Sequence, residues 1–254
     1  RDFAALLTDP NFGRFKKSNV ALLTDAEATT NRIKSEIEHI REVAGPEDLV
    51  VIYISTHGSP RDPSSLDVNY IVTHDTNPDR LWATSLPMVD VVRDANKMIR
   101  AQRMVTFLDT CFSGSATKAG TFLGGATVVA SNSSSDRTDG SKAINFDRGV
   151  SQKMISQPGS GIGRVIITAS QPTESSWESD KLQNGVFTYF LIQALKQNKG
   201  MTPIGGVFNF LSDQVSQRVR EEKKSPQRPM MEPPETKLDI CIGIQSQSNK
   251  EGIK

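Results

Sequence analysis

The sequence lacks several features that would assign it to a common class of protein. It has two cysteines in 254 residues, Cys111 and Cys241, too few for a disulfide framework, so we expect a reducing, cytoplasmic setting. No apolar run approaches the roughly 20 residues that span a bilayer, and the first ten residues are no signal peptide. Thirty Lys and Arg balance 29 Asp and Glu, which argues against nucleic-acid or membrane partners.

The composition that remains is that of an ordinary globular protein. With 36% hydrophobic and 23% charged residues, the chain can build one core, and we predict a single domain over residues 1–254. The chain begins at Arg1 and not at Met, so the presence of an upstream segment stays open. Residues 115–163 are rich in Gly, Ser and Thr and are predicted to form a long flexible insert.

Continuous apolar runs alternate with helical patterns along the chain. Three runs, 48–55, 103–110 and 164–170, are typical of strands covered on both faces of a parallel sheet. Helices are predicted around residues 28–45, 184–197 and 205–222, and shorter strands at 20–23 and 238–242. This alternation predicts an α/β fold, in which helices cover both faces of a central, mostly parallel sheet.

Two of the predicted strands end in a reactive side chain followed by small residues. One run ends in Ser-Thr-His57-Gly58, and another ends in Asp-Thr-Cys111-Phe-Ser-Gly. Active sites of such folds gather at the carboxyl ends of the strands. If the two strands are neighbours, a thiol and an imidazole lie at one edge of the sheet.

A Cys–His pair suits nucleophilic catalysis on a carbonyl carbon. The thiolate is the competent nucleophile, and a nearby His57 would activate Cys111 and then protonate the leaving amine. The backbone N–H groups of Gly58 and Cys111 are the candidate oxyanion donors, because a glycine lets substrate approach the main chain closely.

Other residues with reactive side chains fit structural roles better. Cys241 lies in the apolar stretch Asp-Ile-Cys-Ile-Gly-Ile, and His39 lies on a charged helix. His74 follows a short strand but is not followed by small residues. The glycines at 159, 161 and 163 precede a strand instead of opening a helix after one, which is the wrong order for a dinucleotide-binding turn.

These motifs resemble the caspase-like cysteine peptidases, and within them the metacaspase, paracaspase and orthocaspase branch. The likeness covers S-T-H-G at 55–58, D-T-C-F-S-G at 109–114 and ITASQPTESSWES at 167–179. It implies a caspase-like three-layer α/β/α sandwich and a cysteine endopeptidase with Cys111 as nucleophile and His57 as acid–base partner. Relatives begin with an apolar strand that we do not find before residue 20, so an upstream segment or a partner chain is expected to supply it.

Departures from the caspase pattern point to the substrate. Where caspases that cut after Asp carry Gln and Arg, this chain has Asp109 and Glu178. Two carboxylates in a partly desolvated pocket attract a guanidinium or ammonium group, so we predict protein or peptide substrates cleaved after Arg or Lys. The resemblance also assigns Ser170 and Trp177 to substrate binding, with a core position as the alternative for Trp177.

The resemblance raises two further questions. Many metacaspases need calcium, but the aspartates available here, at 62, 67, 75 and 79, show no recognisable ligand spacing, so no cofactor is predicted, with calcium as the alternative. Because the insert is flexible and contains basic residues, the enzyme could process itself there. The candidate cleavage sites are Arg137, Lys142, Arg148 and Lys153.

Two competing functions stay open at this point. A caspase-like domain can serve as a catalytically silent scaffold or interaction module, because a motif alone does not prove activity. The same thiol chemistry also begins peptide ligation and ester hydrolysis, which differ from proteolysis only in the acceptor or substrate.

Overall fold

The computed structural model describes residues 1–58, 70–88, 90–91, 95–110, 163–171, 174–179, 181–233 and 239–243. Within these residues the chain forms both helices and strands, as the sequence pattern indicates. The helices are α1 (Asp2–Thr8), α2 (Thr30–Val43), α3 (Leu81–Thr84), α4 (Ala95–Met98), α5 (Val186–Lys196) and α6 (Ile204–Lys223). The strands are β1 (Leu49–Thr56), β2 (Tyr70–Ile71), β3 (Leu86–Pro87), β4 (Arg103–Thr110), β5 (Gly163–Thr168) and β6 (Met230–Glu232).

The main sheet has the strand order β1-β4-β5-β6. The first three strands run parallel, and β6 is antiparallel to β5. The predicted strands at 48–55, 103–110 and 164–170 are therefore confirmed as neighbours. The β1–β4 register pairs Leu49 with Arg103 at one end and Thr56 with Thr110 at the other, so both strands end at the same level.

Alternation along the strands builds the two faces of the sheet. Val105 and Phe107 of β4 face a core shared with α1, α5 and α6, whereas Met104 and Leu108 face a second core shared with α2 and α4. Because successive strand side chains point to opposite faces, one buried strand supplies both cores. This arrangement confirms the predicted three-layer sandwich.

Two expectations about the smaller strands need correction, and one short strand was not predicted. Residues 20–23 form no strand, and Leu22 is 46% exposed, because four apolar residues do not make a strand without a neighbour to pair with. Of the strand expected at 238–242, the described part makes a single bridge between Cys241 and Pro203. The antiparallel strand β6 was not predicted, since three residues are too short to show alternation.

Among the helices that the structure describes, none combines the length and apolar character that crossing a membrane requires.

Candidate active site

His57 follows β1 directly, and its position is fixed by the backbone around it. The His57 carbonyl accepts a hydrogen bond from the Val72 N–H at 3.1 Å, and the Thr56 hydroxyl donates to the Val72 carbonyl at 2.7 Å. Gly58 forms an antiparallel bridge with Ile71 of β2. The imidazole is exposed, which leaves it accessible at the carboxyl edge of the sheet.

Cys111 itself lies outside the described residues, but the strand that leads to it is well defined. Thr110, the residue before it, pairs with Thr56, the residue before His57. The two predicted catalytic residues therefore each follow in sequence the last residue of one of two adjacent parallel strands, and these strands end at the same level. Thr110 is fully buried, so the end of β4 is anchored in the core.

Asp109 is a buried carboxylate at the same edge of the sheet. Its side chain is held in the core with the whole residue 7% exposed. Ser176 donates to Oδ1 at 2.7 Å, and Thr188 donates to Oδ2 at 2.5 Å. Each carboxylate oxygen thus accepts a hydrogen bond from a hydroxyl of a different segment. Oδ1 is bound by the loop after β5, and Oδ2 by the first turn of α5.

Each of these two hydroxyls itself accepts a hydrogen bond from a further donor. The Tyr53 and Thr188 hydroxyl oxygens are 2.6 Å apart, and because Thr188 gives its hydrogen to Asp109, Tyr53 is the donor in this pair. On the other side, Gln227 Nε2 donates to Ser176 Oγ at 3.3 Å. Two short chains of hydrogen bonds therefore converge on one carboxylate.

Burial raises the pKa of Asp109 above its ordinary value, although the hydrogen bonds from Thr188 and Ser176 oppose this shift. The negative charge of Glu178 adds to the increase. Burial, and then the charge of Asp109, also raises the pKa of Tyr53, so the phenol stays protonated and remains a donor.

Gly185 packs closely against the Asp109 carboxylate. A Cβ at position 185 would lie 3.0 Å from Asp109 Oδ2, closer than nearly all such contacts, so any larger residue would press against the carboxylate. Gly185 also forms a bridge with the exposed Glu178. Glu178 and Asp109, the two predicted pocket residues, therefore both lie next to Gly185.

The other two predicted substrate-binding residues lie in the loop after β5. Trp177 is half-buried against the core, with its backbone N–H donating to Gln227 Oε1 at 2.9 Å and its carbonyl accepting from the Val186 N–H at 2.9 Å. Ser170 is 1% exposed, and its hydroxyl donates to the Glu174 carbonyl at 3.1 Å. This hydrogen bond from the Ser170 hydroxyl stabilises the loop.

Two charged contacts hold this loop to the segments around it. The Glu174 carboxylate, whose side chain is 3% exposed, accepts from both the Arg228 N–H and the Arg228 Nε, each at 2.6 Å. Ser179 donates to Glu222 of α6 at 3.0 Å. The loop that carries Trp177 and Glu178 is thus anchored at both of its ends.

The remaining candidates are placed elsewhere or fall outside the described residues. His39 is exposed on α2, and His74 is exposed near the start of that helix, with its backbone N–H donating to the Ala28 carbonyl. The Cys241 thiol donates to the Met201 carbonyl, and burial raises its pKa. Outside the described residues lie Asp62, Asp67 and the predicted cleavage sites Arg137, Lys142, Arg148 and Lys153.

The described part of the chain contains no group of three or more His, Cys, Asp or Glu side chains that could hold a metal ion. Asp75 is occupied structurally, since its carboxylate accepts from the Thr30 N–H at 3.0 Å and from the Thr73 hydroxyl at 2.8 Å. Asp79 is exposed, and its backbone N–H donates to Asn77 Oδ1. The Asp75 contacts tie this carboxylate to the start of α2.

Sequence reasoning missed four residues around Asp109. Thr188 left a detectable signal, because it is one hydroxyl among the buried apolar residues of α5. Ser176, Tyr53 and Gln227 left none, since a single polar contact between distant segments has no periodicity.

The caspase domain family matches residues 1–238, and the chain therefore belongs to that family, which is one of cysteine peptidases. No curated protein matches the chain. Among solved structures, protein GSU0716 from Geobacter sulfurreducens is similar with a TM-score of 0.53 and 17% identity over 97% of this chain and 83% of that one. Caspase-1 from Spodoptera frugiperda has a TM-score of 0.45 and 16% identity over 87% and 73%. Membership of the metacaspase branch stays a prediction.

Proposed function

We propose that this protein is a cysteine endopeptidase that cleaves peptide bonds after Arg or Lys, with Cys111 as nucleophile and His57 as acid–base partner. The observation that carries the proposal is the pairing of Thr56 with Thr110 on adjacent parallel strands. It supports a common edge for the two residues that follow, and an exposed imidazole is available there.

The proposed reaction proceeds through an acyl-enzyme. The Cys111 thiolate attacks the scissile carbonyl carbon, and the oxyanion that forms is stabilised by the backbone N–H groups of Gly58 and Cys111. The protonated His57 then gives its proton to the leaving amine, and the C–N bond breaks. Water, deprotonated by His57, attacks the thioester, which releases the acid and restores the thiolate.

The proposed preference for basic residues comes from Asp109 and Glu178. Asp109 lies at the carboxyl edge of β4, and Glu178 is close enough that its charge raises the pKa of Asp109. A cation bound between them would relieve this repulsion. The half-buried Trp177 would form a wall for the neighbouring substrate residue.

The outer edge of β1 supports a proposed partner strand. Within the described residues β1 pairs on one side, with β4, and an open edge of eight mostly apolar residues attracts another strand. We propose that an upstream segment or a partner chain pairs there.

A panel of fluorogenic peptides that differ only in the residue before the cleaved bond tests this function. Peptides ending in Arg or Lys are expected to be cleaved and the Asp peptide to resist, because two carboxylates repel a third. The assay is run with and without calcium, and Cys111→Ala is the control. Preference for Asp would contradict the proposed pocket for basic residues. The absence of turnover with every peptide would contradict the proposed peptidase activity and favour the scaffold function. Cleavage that requires a nucleophile other than water would favour peptide ligation.

We also expect the enzyme to cut itself in the stretch 115–163, after at least one of Arg137, Lys142, Arg148 and Lys153. Such cleavage follows if the pocket selects basic residues, and intact-mass spectrometry of the purified protein measures it. Cys111→Ala, which lacks the nucleophile, should stay whole. A fully active enzyme whose chain is uncut would exclude activation by this cleavage.

A further inference from the structure

Gln227 lies far in sequence from the carboxyl ends of β1, β4 and β5, yet its side chain contacts the loop that forms the proposed pocket. It is completely buried between α6 and β6. Its Oε1 accepts from the Trp177 N–H at 2.9 Å, and its Nε2 donates to the Ala169 carbonyl at 3.0 Å and to Ser176 Oγ at 3.3 Å. All three contacts are to the loop after β5.

These partners determine the orientation of the amide. The Trp177 N–H needs an acceptor, and the Ala169 carbonyl needs a donor, so a reversed amide would lose both hydrogen bonds. Nε2 can only donate, so Ser176 Oγ must accept the hydrogen bond between them. The single Ser176 hydrogen is then directed to Asp109 Oδ1, 2.7 Å away.

We infer that Gln227 is a positioning residue for the proposed basic-residue pocket: it fixes the backbone of Trp177 and turns the Ser176 hydroxyl onto Asp109. The inference rests on the proposed function, since it assigns Gln227 a role in selecting Arg and Lys. Gln227 does not touch the substrate and acts through Ser176 and Trp177.

The charged and titratable groups around Asp109 set the direction of the expected pH effect. Glu178 faces it from the loop, Tyr53 faces it from β1 through Thr188, and Asp2 of α1 acts on Tyr53. None of these groups is a cation, so the donated hydrogen bonds are what lower the pKa of Asp109 against the effect of burial. Weakening the Ser176 bond should therefore raise the pKa of Asp109 further.

Gln227→Met, which keeps the length of the side chain but removes its polar atoms, tests the inference. Two peptides are compared, one with Arg before the cleaved bond and one with citrulline, its uncharged isostere. We expect kcat/KM for the Arg peptide to fall roughly 10- to 100-fold, chiefly through KM, the range for losing one hydrogen bond to a charged group. The citrulline peptide should change by less than about 3-fold on the same reasoning, and the acid limb of the Arg profile should move to higher pH.

Two further variants make the test specific. Gln217→Met changes an exposed glutamine on α6 that bonds to Glu221, and it should behave as the wild type. Ser176→Ala removes the middle of the relay and should shift the acid limb in the same direction. Adding Gln227→Met to Ser176→Ala should shift the limb no further, because the hydroxyl through which Gln227 acts is gone.

Equal losses with the Arg and citrulline peptides, or an unmoved acid limb in Gln227→Met, would overturn the inference. If Gln227→Met does not fold, an unmoved acid limb in Ser176→Ala overturns it equally. If the wild type does not cleave the Arg peptide, the proposed function has failed, and carboxyl-carbon NMR then reads the pKa of Asp109 directly. A higher pKa in Gln227→Met would support the relay, and identical titrations would reject it.

Discussion

Cys111→Ala is expected to abolish turnover of the Arg and Lys peptides, and His57→Ala to lower kcat by about 10²–10⁴-fold. The reason differs between the two residues. Without the thiol no acyl-enzyme forms, whereas without the imidazole the thiol keeps a small thiolate fraction, but the leaving amine has no proton donor. Steady-state kinetics of both variants on one peptide measure the two effects.

Cys241→Ala and His39→Ala are the matched controls for these variants. The Cys241 thiol donates to the Met201 carbonyl, and burial raises its pKa, so it is a poor nucleophile. His39 is exposed on α2. Both controls should keep wild-type kcat/KM, and an arginyl chloromethylketone should label the wild type and Cys241→Ala but not Cys111→Ala. Turnover that survives in Cys111→Ala would disprove the assigned nucleophile.

The parts of the fold that were predicted from sequence are those with a continuous physical signal. A parallel strand buried on both faces is mostly apolar, as β4 is at Met104, Val105, Phe107 and Leu108, and the edge where it ends follows from its direction. His57 was placed at that edge by this argument, and in the structure it follows Thr56, which pairs with Thr110 at the end of β4. Asp109 was assigned to the pocket by the family resemblance, and it lies near the same end of β4. The stretch at residues 20–23 has the same apolar character but no neighbouring strand, and the prediction failed there.

The part of the site that could not be predicted consists of single contacts between remote segments. Gln227 reaches Ser176 and Trp177 from the connection between α6 and β6, and nothing in the local sequence distinguishes it from a surface glutamine. The same holds for Tyr53, whose aromatic ring fits the pattern of β1, while its hydroxyl serves Thr188. A polar relay depends on tertiary packing, which no pattern of a single segment encodes.

Asp109→Asn is expected to lower kcat/KM for the Arg peptide by about 10²–10⁴-fold. Removing one partner of a buried ion pair costs about 3–5 kcal/mol, and about 1.4 kcal/mol corresponds to a tenfold change in rate. The matched control is Glu178→Gln, where the carboxylate is exposed and a loss below about 5-fold is expected, as for surface pairs. The citrulline peptide, which carries no charge, should show little change with either variant.

The pH dependence of the wild type follows from the same carboxylate. Because burial raises the pKa of Asp109, cleavage after Arg should decline as the pH falls through that raised value, before an ordinary aspartate would be protonated. The citrulline peptide should lack this limb. A limb shared by both peptides would assign it to a group of the catalytic dyad instead.

Stability should change in the opposite direction from activity. Between the ordinary pKa of an aspartate and the raised value, the native state binds more protons than the unfolded chain, so the free energy of unfolding falls as the pH rises. Above the raised pKa the ionised Asp109 is a net cost of folding, which the neutral amide of the Asp109→Asn variant does not carry. Thermal unfolding near neutral pH should therefore give Asp109→Asn a Tm at least equal to that of the wild type, with the difference shrinking in acid. A variant that loses its preference for Arg while keeping its Tm would mark Asp109 as a residue retained for binding; a lower Tm together with unchanged preference would show instead that it serves to hold α5 and the loop after β5 together.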